Sequence, residues 1–315
     1  MPNTSSTPDL SIISPVYGCK GCLEDLVERV AAAVASIAAS HEVILVDDGS
    51  PDGAWGRILE LADRYPAVRG LRLSRNFGQH AAISAGLAHA NGRRVVVMDC
   101  DLQDVPEEIP KLLEALRDGV DIALASRADR QDSAFKKAGS RTFYRLLGWL
   151  TDSAHDPSTA NFGAYSRKVI DAVNAMPESD RFFPLLVRWT GFRTTLVPVT
   201  HARRTEGSSG YSLRQLVRLA MNIALSFSDK PLRLVVKTGL AFAFLSLCVV
   251  ALSIYRYSIG DIAVAGFTSI IASIWLVGGA IVSSVGVVGL YVGKLHGQAK
   301  HRPNFIVAED TLAAS

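Results

Sequence analysis

The first 126 residues alternate between short apolar runs and longer segments with helical spacing, and this alternation restricts the fold more than any other feature. The apolar runs are rich in Val, Ile and Leu and lack polar alternation, as expected for strands buried on both faces. They span residues 10–15, 42–47, 68–73, 94–98 and 121–126, and the segments with helical composition span 23–39, 54–65, 79–91 and 106–117. The pattern predicts an α/β domain with a mostly parallel sheet and helices on both faces.

The pattern is less regular from residue 135 to residue 225. Helices are predicted at 135–150, 167–176 and 182–190, a strand at 194–199, and a mobile Gly/Ser-rich loop at 206–212. Residues 213–227 form an amphipathic segment just before a long apolar region. This segment fits a helix along a bilayer surface and fits an ordinary surface helix equally well.

Two apolar stretches near the C-terminus reach the length of about 20 residues that a membrane-spanning helix needs. They are residues 238–255 and a segment within 262–292, and basic residues flank their outer ends. The positive-inside rule then puts the N-terminal domain (1–228) and a tail (294–315) in the cytosol, joined by a transmembrane hairpin (229–293) in the inner or plasma membrane. The alternative is a helical hairpin buried in a soluble protein. The spacing of Gly289 and Gly293 allows helix contact or a homo-oligomer.

Composition excludes several classes of function. The net charge of +3 is too small to indicate a nucleic acid partner, and the polar N-terminus does not resemble a signal peptide. Cys19 and Cys22 form a CxxC motif, which could be a zinc site, a redox pair or two reduced thiols. Reduced thiols are favoured because no second CxxC and no nearby His pair completes a metal site. The histidines show no metal spacing, and no GxSxG or P-loop occurs.

Acidic residues follow two of the predicted strands. Asp99 and Asp101 follow the fourth strand as a DxD motif, and Asp47 and Asp48 follow the second. In parallel sheets ligands bind at the carboxyl ends of the strands. Carboxylates suit Mg²⁺ or Mn²⁺, which prefer carboxylate and substrate phosphate as ligands. Together the two turns predict a site for a metal-bound nucleotide sugar.

A third polar segment, Arg75-Asn76-Phe77-Gly78, follows the third strand and precedes a predicted helix. A guanidinium and the backbone N–H groups of a helix N-terminus are natural partners of a diphosphate. The alternative is that Arg75 merely pairs with a neighbouring acid.

These motifs occur in one order along the chain: Pro15-Val16-Tyr17, Asp47-Asp48-Gly49-Ser50, Arg75-Asn76-Phe77-Gly78 and Asp99-Cys100-Asp101. In this order they resemble the family 2 glycosyltransferases of GT-A fold. More narrowly, the chain is similar to bactoprenol- or dolichol-phosphate glycosyltransferases that end in a transmembrane hairpin. The resemblance implies an inverting, metal-dependent transfer of a sugar from a nucleotide diphosphate donor to polyprenyl phosphate.

The resemblance also implies residue roles. Asp99 and Asp101 would hold ribose and metal, with Asp101 among the catalytic residues. The expected donor-binding residues are Pro15, Asp47, Asp48, Arg75, Asn76, Gly78 and Gln103. Arg204, Gly207, Ser209 and Tyr211 match an RxxGxSxY loop beside the diphosphate, in which Arg204 would be catalytic, and Trp189 and Gly191 match a segment on the acceptor side.

The chain departs from the family pattern at two places. Gly18 and Cys19 stand where relatives carry Asn and an acid, and Asn161 and Gly163 flank Phe162 where many relatives carry a catalytic Asp and an Arg. Asn161 cannot take a proton as a carboxylate does. A lipid phosphate, with a second pKa near 6, is mostly a dianion and needs no base.

Asn161 therefore fits a phosphate acceptor, although Asp156 or Asp180 could supply a base instead. Two rival functions stay open. One is a glycosyltransferase that extends a lipid-linked or polysaccharide glycan at a hydroxyl, and the other is a membrane scaffold with a decayed site.

Overall fold

The computed structural model describes residues 7–38, 40–127, 159–178, 181–200, 202, 230–259 and 267–312. These residues fall in two compact units. The first contains the described parts of Met1–Lys137, Asp156–Ser209 and Arg302–Ser315, and the second those of Gly210–His301. The predicted helices at 135–150 and 213–227 and the predicted loop at 206–212 lie outside the described residues.

The first unit is built on an eight-stranded sheet with the strand order β7-β5-β6-β4-β1-β2-β3-β8. Its strands are β1 (Leu10–Val16), β2 (His41–Asp47), β3 (Val68–Leu73), β4 (Arg94–Val97), β5 (Ile122–Arg127), β6 (Thr159–Ser166), β7 (Thr194–Val199) and β8 (Val307–Asp310). Its helices are α1 (Leu23–Val34), α2 (Ala54–Arg64), α3 (Gln79–His89), α4 (Ile109–Glu114), α5 (Arg167–Asn174) and α6 (Phe183–Trp189). Short 3-10 helices at Lys20–Cys22 and Pro106–Glu108 precede α1 and α4.

The centre of the sheet is parallel, as the sequence predicts. β1 pairs with both β2 and β4 in parallel, and every residue of β1 is buried. Pro15 is accommodated in this central strand because the pairing of β1 with β4 ends at Ile13 and Val97, so no ladder hydrogen bond is lost on that side. The carboxyl ends of β1, β2, β3 and β4 thus meet at one edge.

Helices cover both faces of the sheet. One face packs Ile12 and Leu45 against apolar residues of α1, α2 and α4 in the main core cluster. On the other face α3 lies directly over β1, because a Cβ added to Gly86 would collide with the Ile13 side chain. The prediction of an α/β domain with a mostly parallel sheet is confirmed.

Two strands were not predicted, and both are antiparallel. β6 pairs antiparallel with β4 and β5, and β8 pairs antiparallel with β3. Residues 307–310, which the sequence analysis assigned to a C-terminal tail, therefore belong to the sheet of the first unit.

The second unit contains two long helices, α7 (Lys230–Ser258) and α8 (Phe267–Ala299). Within α8, the segment Leu276–Ala299 is long and apolar enough to cross a membrane. It is the one such segment among the residues that the structure describes. Many of the large apolar side chains of both helices are exposed, among them Phe244 on α7 and Val282 on α8. One of the two predicted spans thus has a segment of suitable length and composition, and the other stays a prediction.

Candidate active site

The turn at residues 47–50, which follows β2, is tied to the turn at residues 75–78, which follows β3. The Asp48 carboxylate accepts hydrogen bonds from the backbone N–H of Phe77 at 2.7 Å and of Gly78 at 2.9 Å. Asp48 is almost fully buried, and burial raises the pKa of its carboxyl while the two backbone donors oppose that rise. A carboxylate has about four acceptor sites, so Asp48 keeps capacity for a further donor.

Asp47 and Gly49 hold the same two turns together. Asp47 accepts a hydrogen bond from the Ser50 backbone N–H at 2.9 Å, and its other oxygen lies 3.8 Å from the Arg72 guanidinium. Gly49 has a φ of +70°, and a Cβ there would lie 2.9 Å from the backbone nitrogen of Asn76. The close approach of the two turns therefore requires glycine.

Arg75 and Asn76 lie exposed at this edge of the sheet. The Arg75 guanidinium stacks over the Phe77 ring at 3.9 Å from its centroid and donates to the Asn76 carbonyl at 3.0 Å. No salt bridge within 4 Å joins Arg75 to an acid in the described part of the chain, although its charge opposes the rise that burial causes in the pKa of the Asp48 carboxyl.

The turn at residues 99–104, which follows β4, is held by its own acids and by α3. The Asp99 carboxylate accepts from the Gln79 side chain at 2.7 Å, and the Asp99 N–H donates to Asp104 at 3.0 Å. Asp101 accepts from the Gln103 N–H at 3.1 Å. Leu102 has a φ of +61°, a conformation that a bulky residue rarely adopts, so this turn stores backbone strain.

The loop after β1 connects the two acidic turns. The Cys19 thiol donates to the Cys100 carbonyl at 3.2 Å, between the two acids of the DxD motif. On the other side, the Lys20 N–H donates to Asp52 at 2.9 Å. The hydrogen bond to Cys100, together with burial, raises the pKa of Cys19, so the thiol is protonated and can donate. The reading of the CxxC motif as reduced thiols agrees with this contact.

Asn161 lies near the start of β6, on the same edge of the sheet. The antiparallel register pairs Val97 with Gly163, so Asn161 and Asp99 each lie two residues beyond that pair, toward the acidic turns. A Cβ at Gly163 would lie 2.9 Å from the Tyr165 hydroxyl and 3.1 Å from the Ala123 carbonyl oxygen. The buried Tyr165 therefore occupies the space that a side chain at position 163 would enter.

The remaining predicted site residues lie in different parts of the chain, some of them outside the described residues. Pro15 is buried at the carboxyl end of β1, and the Gln103 carbonyl accepts from the Ala202 N–H at 3.1 Å, so the chain after β7 reaches the 99–104 turn. Trp189 ends α6 with 77 % of its surface exposed. No hydrogen bond or ring contact joins it to the acidic turns among the described residues. Arg204, Ser209 and Tyr211, like Asp156 and Asp180, lie outside the described residues.

Three residues to which the sequence analysis gave no role in the site shape it: Gln79, Cys19 and Asp104. Gln79 is a polar residue directly after the Arg75-Asn76-Phe77-Gly78 motif, and Asp104 is a third acid in the DxD segment, so each carried a signal. Cys19 carried one as well, because it stands where the family pattern expects a polar side chain.

The 99–104 turn fits a hard divalent cation such as Mg²⁺ or Mn²⁺. Asp99 and Asp101 offer carboxylate oxygens at the carboxyl edge of a parallel sheet. No group of three or more His, Cys, Asp or Glu side chains that could hold a metal occurs within the described ranges. An ion bound here would take its other ligands from substrate phosphate and water, as Mg²⁺ commonly does.

Comparison with known proteins agrees with this architecture. The family model described as "Glycosyl transferase family 2" matches residues 11–173, about half of the chain. An uncharacterised glycosyltransferase of Synechocystis is 33% identical over 304 residues, which cover 96% of each chain. The chain belongs to glycosyl transferase family 2. It is therefore a glycosyltransferase, and the scaffold alternative is withdrawn.

Other relatives of this family 2 glycosyltransferase carry more specific names. The undecaprenyl-phosphate 4-deoxy-4-formamido-L-arabinose transferase of Sodalis glossinidius is 35% identical over 305 residues, covering 95% of this chain and 92% of the relative. Among solved structures, a mannosyltransferase of Pyrobaculum calidifontis in complex with GDP-Man and Mn²⁺ is 18% identical. The match covers 95% of this chain and 88% of the mannosyltransferase chain, with a TM-score of 0.47.

Proposed function

We propose that this glycosyltransferase moves a sugar, with inversion, from a nucleotide diphosphate donor to polyprenyl phosphate at the cytosolic face of a membrane. The observation that carries the proposal is the hydrogen-bonded frame that joins the 47–50, 75–78 and 99–104 turns at one edge of the sheet. The names of relatives that match over 95% of the chain support a polyprenyl phosphate acceptor.

The donor would lie along this frame. Asp48 and the 75–78 turn would line the nucleotide side, and Pro15, Asp47 and Asn76 would support it. The exposed Arg75 guanidinium would face the diphosphate, whose negative charge suits a bidentate cation. Gln103 would lie near the sugar, and Arg204, Ser209 and Tyr211 would cover the diphosphate, as the family resemblance implies.

Asp99 and Asp101 would hold Mg²⁺ or Mn²⁺, which when bound neutralises charge on the leaving diphosphate. Gln79 and the Gln103 N–H orient these two carboxylates through the hydrogen bonds described above. The chain's own contribution is therefore a pre-positioned pair of oxygen ligands.

The acceptor would be a phosphate rather than a hydroxyl. At the start of β6, where the family resemblance leads us to expect a carboxylate that can act as a base, this chain carries Asn161, an amide. A phosphomonoester with a second pKa near 6 is already a nucleophile at neutral pH, so it needs positioning rather than deprotonation. Trp189, with its large exposed ring, would border the acceptor.

Two membrane spans fit this function, with the catalytic domain and the C-terminus in the cytosol. α8 contains an apolar segment long enough to cross. β3 precedes α7 in the chain and β8 follows α8, yet the two strands pair in one sheet. A chain that leaves and re-enters the same domain crosses the bilayer an even number of times, which supports a second crossing by α7.

The test is a transfer assay with the purified full chain in detergent. A panel of radiolabelled nucleotide sugars is offered with polyprenyl phosphate and Mn²⁺ or Mg²⁺, and label in the organic phase is counted. We expect one of the donors to support transfer, and we expect a chelator to abolish that transfer. Nucleotide binding without transfer to lipid would instead favour the hydroxyl acceptor, and a lack of any nucleotide binding would refute the proposal.

Asp101→Asn provides the matched variant for this assay. The amide can still accept from the Gln103 N–H but is a poor metal ligand, so transfer should fall at least ~100-fold while the melting temperature stays unchanged. Asp63→Asn, which alters an exposed acid on α2, should leave transfer intact. If Asp101→Asn unfolded the protein, Asp101 would be a structural carboxylate.

A further inference from the structure

The C-terminal strand β8 is paired with β3, with one shift of register between Arg72 and Leu73. The register pairs Leu71 with Asp310, Arg72 with Glu309 and Leu73 with Val307. The ladder continues at both ends, where the Ser74 N–H donates to Ile306 at 2.9 Å and the Thr311 N–H donates to Gly70 at 3.1 Å. Without β8, β3 would be an unpaired edge strand.

The side chain of Glu309 connects β8 to the first acidic turn. Its carboxylate accepts from the Arg72 guanidinium at 2.6 Å and from the Trp55 indole at 3.1 Å. The same guanidinium lies 3.8 Å from the buried Asp47 carboxylate, which accepts a hydrogen bond from the Ser50 N–H. Glu309, Arg72 and Asp47 thus form a line of charges that runs from the last strand to the 47–50 turn.

The chain just before β8 contacts the neighbouring turn. Ser74, whose N–H donates to the Ile306 carbonyl, directly precedes the 75–78 turn. Two backbone N–H groups of the 75–78 turn donate to the Asp48 carboxylate. The C-terminal segment 306–310 therefore contacts the base of the 75–78 turn directly and reaches the 47–50 turn through Arg72.

We propose that β8 is part of the donor site and that Glu309 and Arg72 are positioning residues for the nucleotide. Neither would touch the donor. Together they fix Asp47 and the end of β3, so that both turns have their binding geometry before the nucleotide arrives. The inference rests on the proposed function, because it assumes that the 47–50 and 75–78 turns bind the nucleotide.

Asp310, the next residue of β8, provides a matched control. It pairs with Arg69 through contacts of 2.6 Å and 3.1 Å, and both side chains are mostly buried. Because neighbouring residues of a strand point to opposite faces, this pair lies across the sheet from Glu309 and has no contact with Asp47. Loss of the Asp310 charge should weaken β8 as a structural element without disturbing the acidic turns.

The experiment measures binding of UDP and of GDP to the detergent-solubilised full chain with Mn²⁺ by calorimetry, together with donor kinetics and melting temperature. For whichever nucleotide binds, Glu309→Gln should raise the Kd and the donor KM about two- to five-fold, the scale of one exposed ion pair, with kcat retained. Asp310→Asn should lower the melting temperature and leave the Kd unchanged.

Two results would overturn the inference alone: an unchanged Kd in Glu309→Gln, or an equal loss of affinity in Asp310→Asn, which would make β8 a general stabilising strand. If the unaltered chain bound neither nucleotide, the proposed function would fail together with the inference.

Discussion

Single side chains in this glycosyltransferase join strand ends that lie far apart in the sequence. Asp48 binds the turn after β3, and Cys19 binds the turn after β4, so neither acts only within its own loop. Both are buried, and a buried polar group that loses its partner costs about 1–3 kcal/mol. The geometry of the acidic turns therefore depends on residues that need not touch a substrate.

Substitution of Cys19 tests this dependence. Cys19→Ala removes the donor to the Cys100 carbonyl, worth about 1 kcal/mol, and should raise the Mn²⁺ concentration for half-maximal transfer about five-fold. Cys19→Ser keeps a donor and should stay near the unaltered value. The measurement is a Mn²⁺ titration of transfer. Cys248→Ala, on an exposed position of α7, is the control, and equal behaviour of the Ala and Ser variants at position 19 would contradict the role.

His80 should make stability depend on pH. Burial against Phe182 lowers the pKa of His80 from 6.5 to about 4, so the folded chain resists protonation. The contribution of neutral His80 to the free energy of unfolding is complete above pH 6.5 and is lost as pH falls toward 4. At pH 5 the loss is about 2 kcal/mol. His80→Leu should show a smaller fall in melting temperature between pH 7.5 and pH 5. Some pH dependence should persist, because burial also lowers the pKa of His41. An identical fall in both proteins would refute the assignment.

At the scale of elements, the parallel core could be predicted and the antiparallel additions could not. β3 and β7 have the predicted bounds, β1, β2 and β4 differ by one residue at one end, and β5 is shifted by one residue. The agreement follows because runs of Val, Ile and Leu mark strands buried on both faces. β6 contains Asn161, Gly163 and Ala164 and lacks such a run. β8 has two acids among its four residues, which is typical of an exposed segment.

The site was predictable to a similar degree. The acidic turns follow predicted strands, so their meeting at one edge could be anticipated from the topology. The partners of Asp48 and Asp99 could not, since a hydrogen bond such as that from Gln79 depends on how α3 packs on β1. Register, rather than composition, brings Asn161 toward Asp99.

Strand β6 offers a test of the tight packing around Gly163. Gly163→Ala should lower the free energy of unfolding by about 1–3 kcal/mol, because the new Cβ meets the Tyr165 hydroxyl. In a Tyr165→Phe background the cost should be smaller but not zero, since the Ala123 carbonyl oxygen also lies 3.1 Å from that position. Urea unfolding of the unaltered chain, the two single variants and the double variant measures the coupling between positions 163 and 165. Additive effects of the two substitutions would show that Tyr165 does not fill the space beside Gly163.

For the whole molecule, the pairing of β3 with β8 restricts how the chain can cross a membrane. The two helices α7 and α8 lie between these strands in the sequence, and the sheet cannot close across a bilayer. Both flanks of the helical pair must therefore lie on one side. This restriction is independent of the distribution of basic residues.

Protease accessibility of terminal tags tests the arrangement. Tags placed before Met1 and after Ser315 should both be digested in inside-out vesicles and both be protected in right-side-out vesicles. Digestion of only one tag in either preparation would mean an odd number of crossings, and digestion of both in right-side-out vesicles would reverse the orientation. A tagged periplasmic protein and a tagged cytosolic protein report the sidedness of each preparation.

The position of β8 also sets an order of events during synthesis. The ribosome completes β1 to β7 long before residues 307–310 are made, so the growing domain carries an open edge at β3 while the apolar helices emerge. Such an edge invites pairing with other chains until the last strand arrives. We expect the sheet to close only after α8 has left the ribosome, which would delay the finished enzyme until its membrane segment is available. Protease resistance of ribosome-bound chains that end before and after residue 312, each extended by a linker long enough to bring β8 out of the ribosome, would measure this delay.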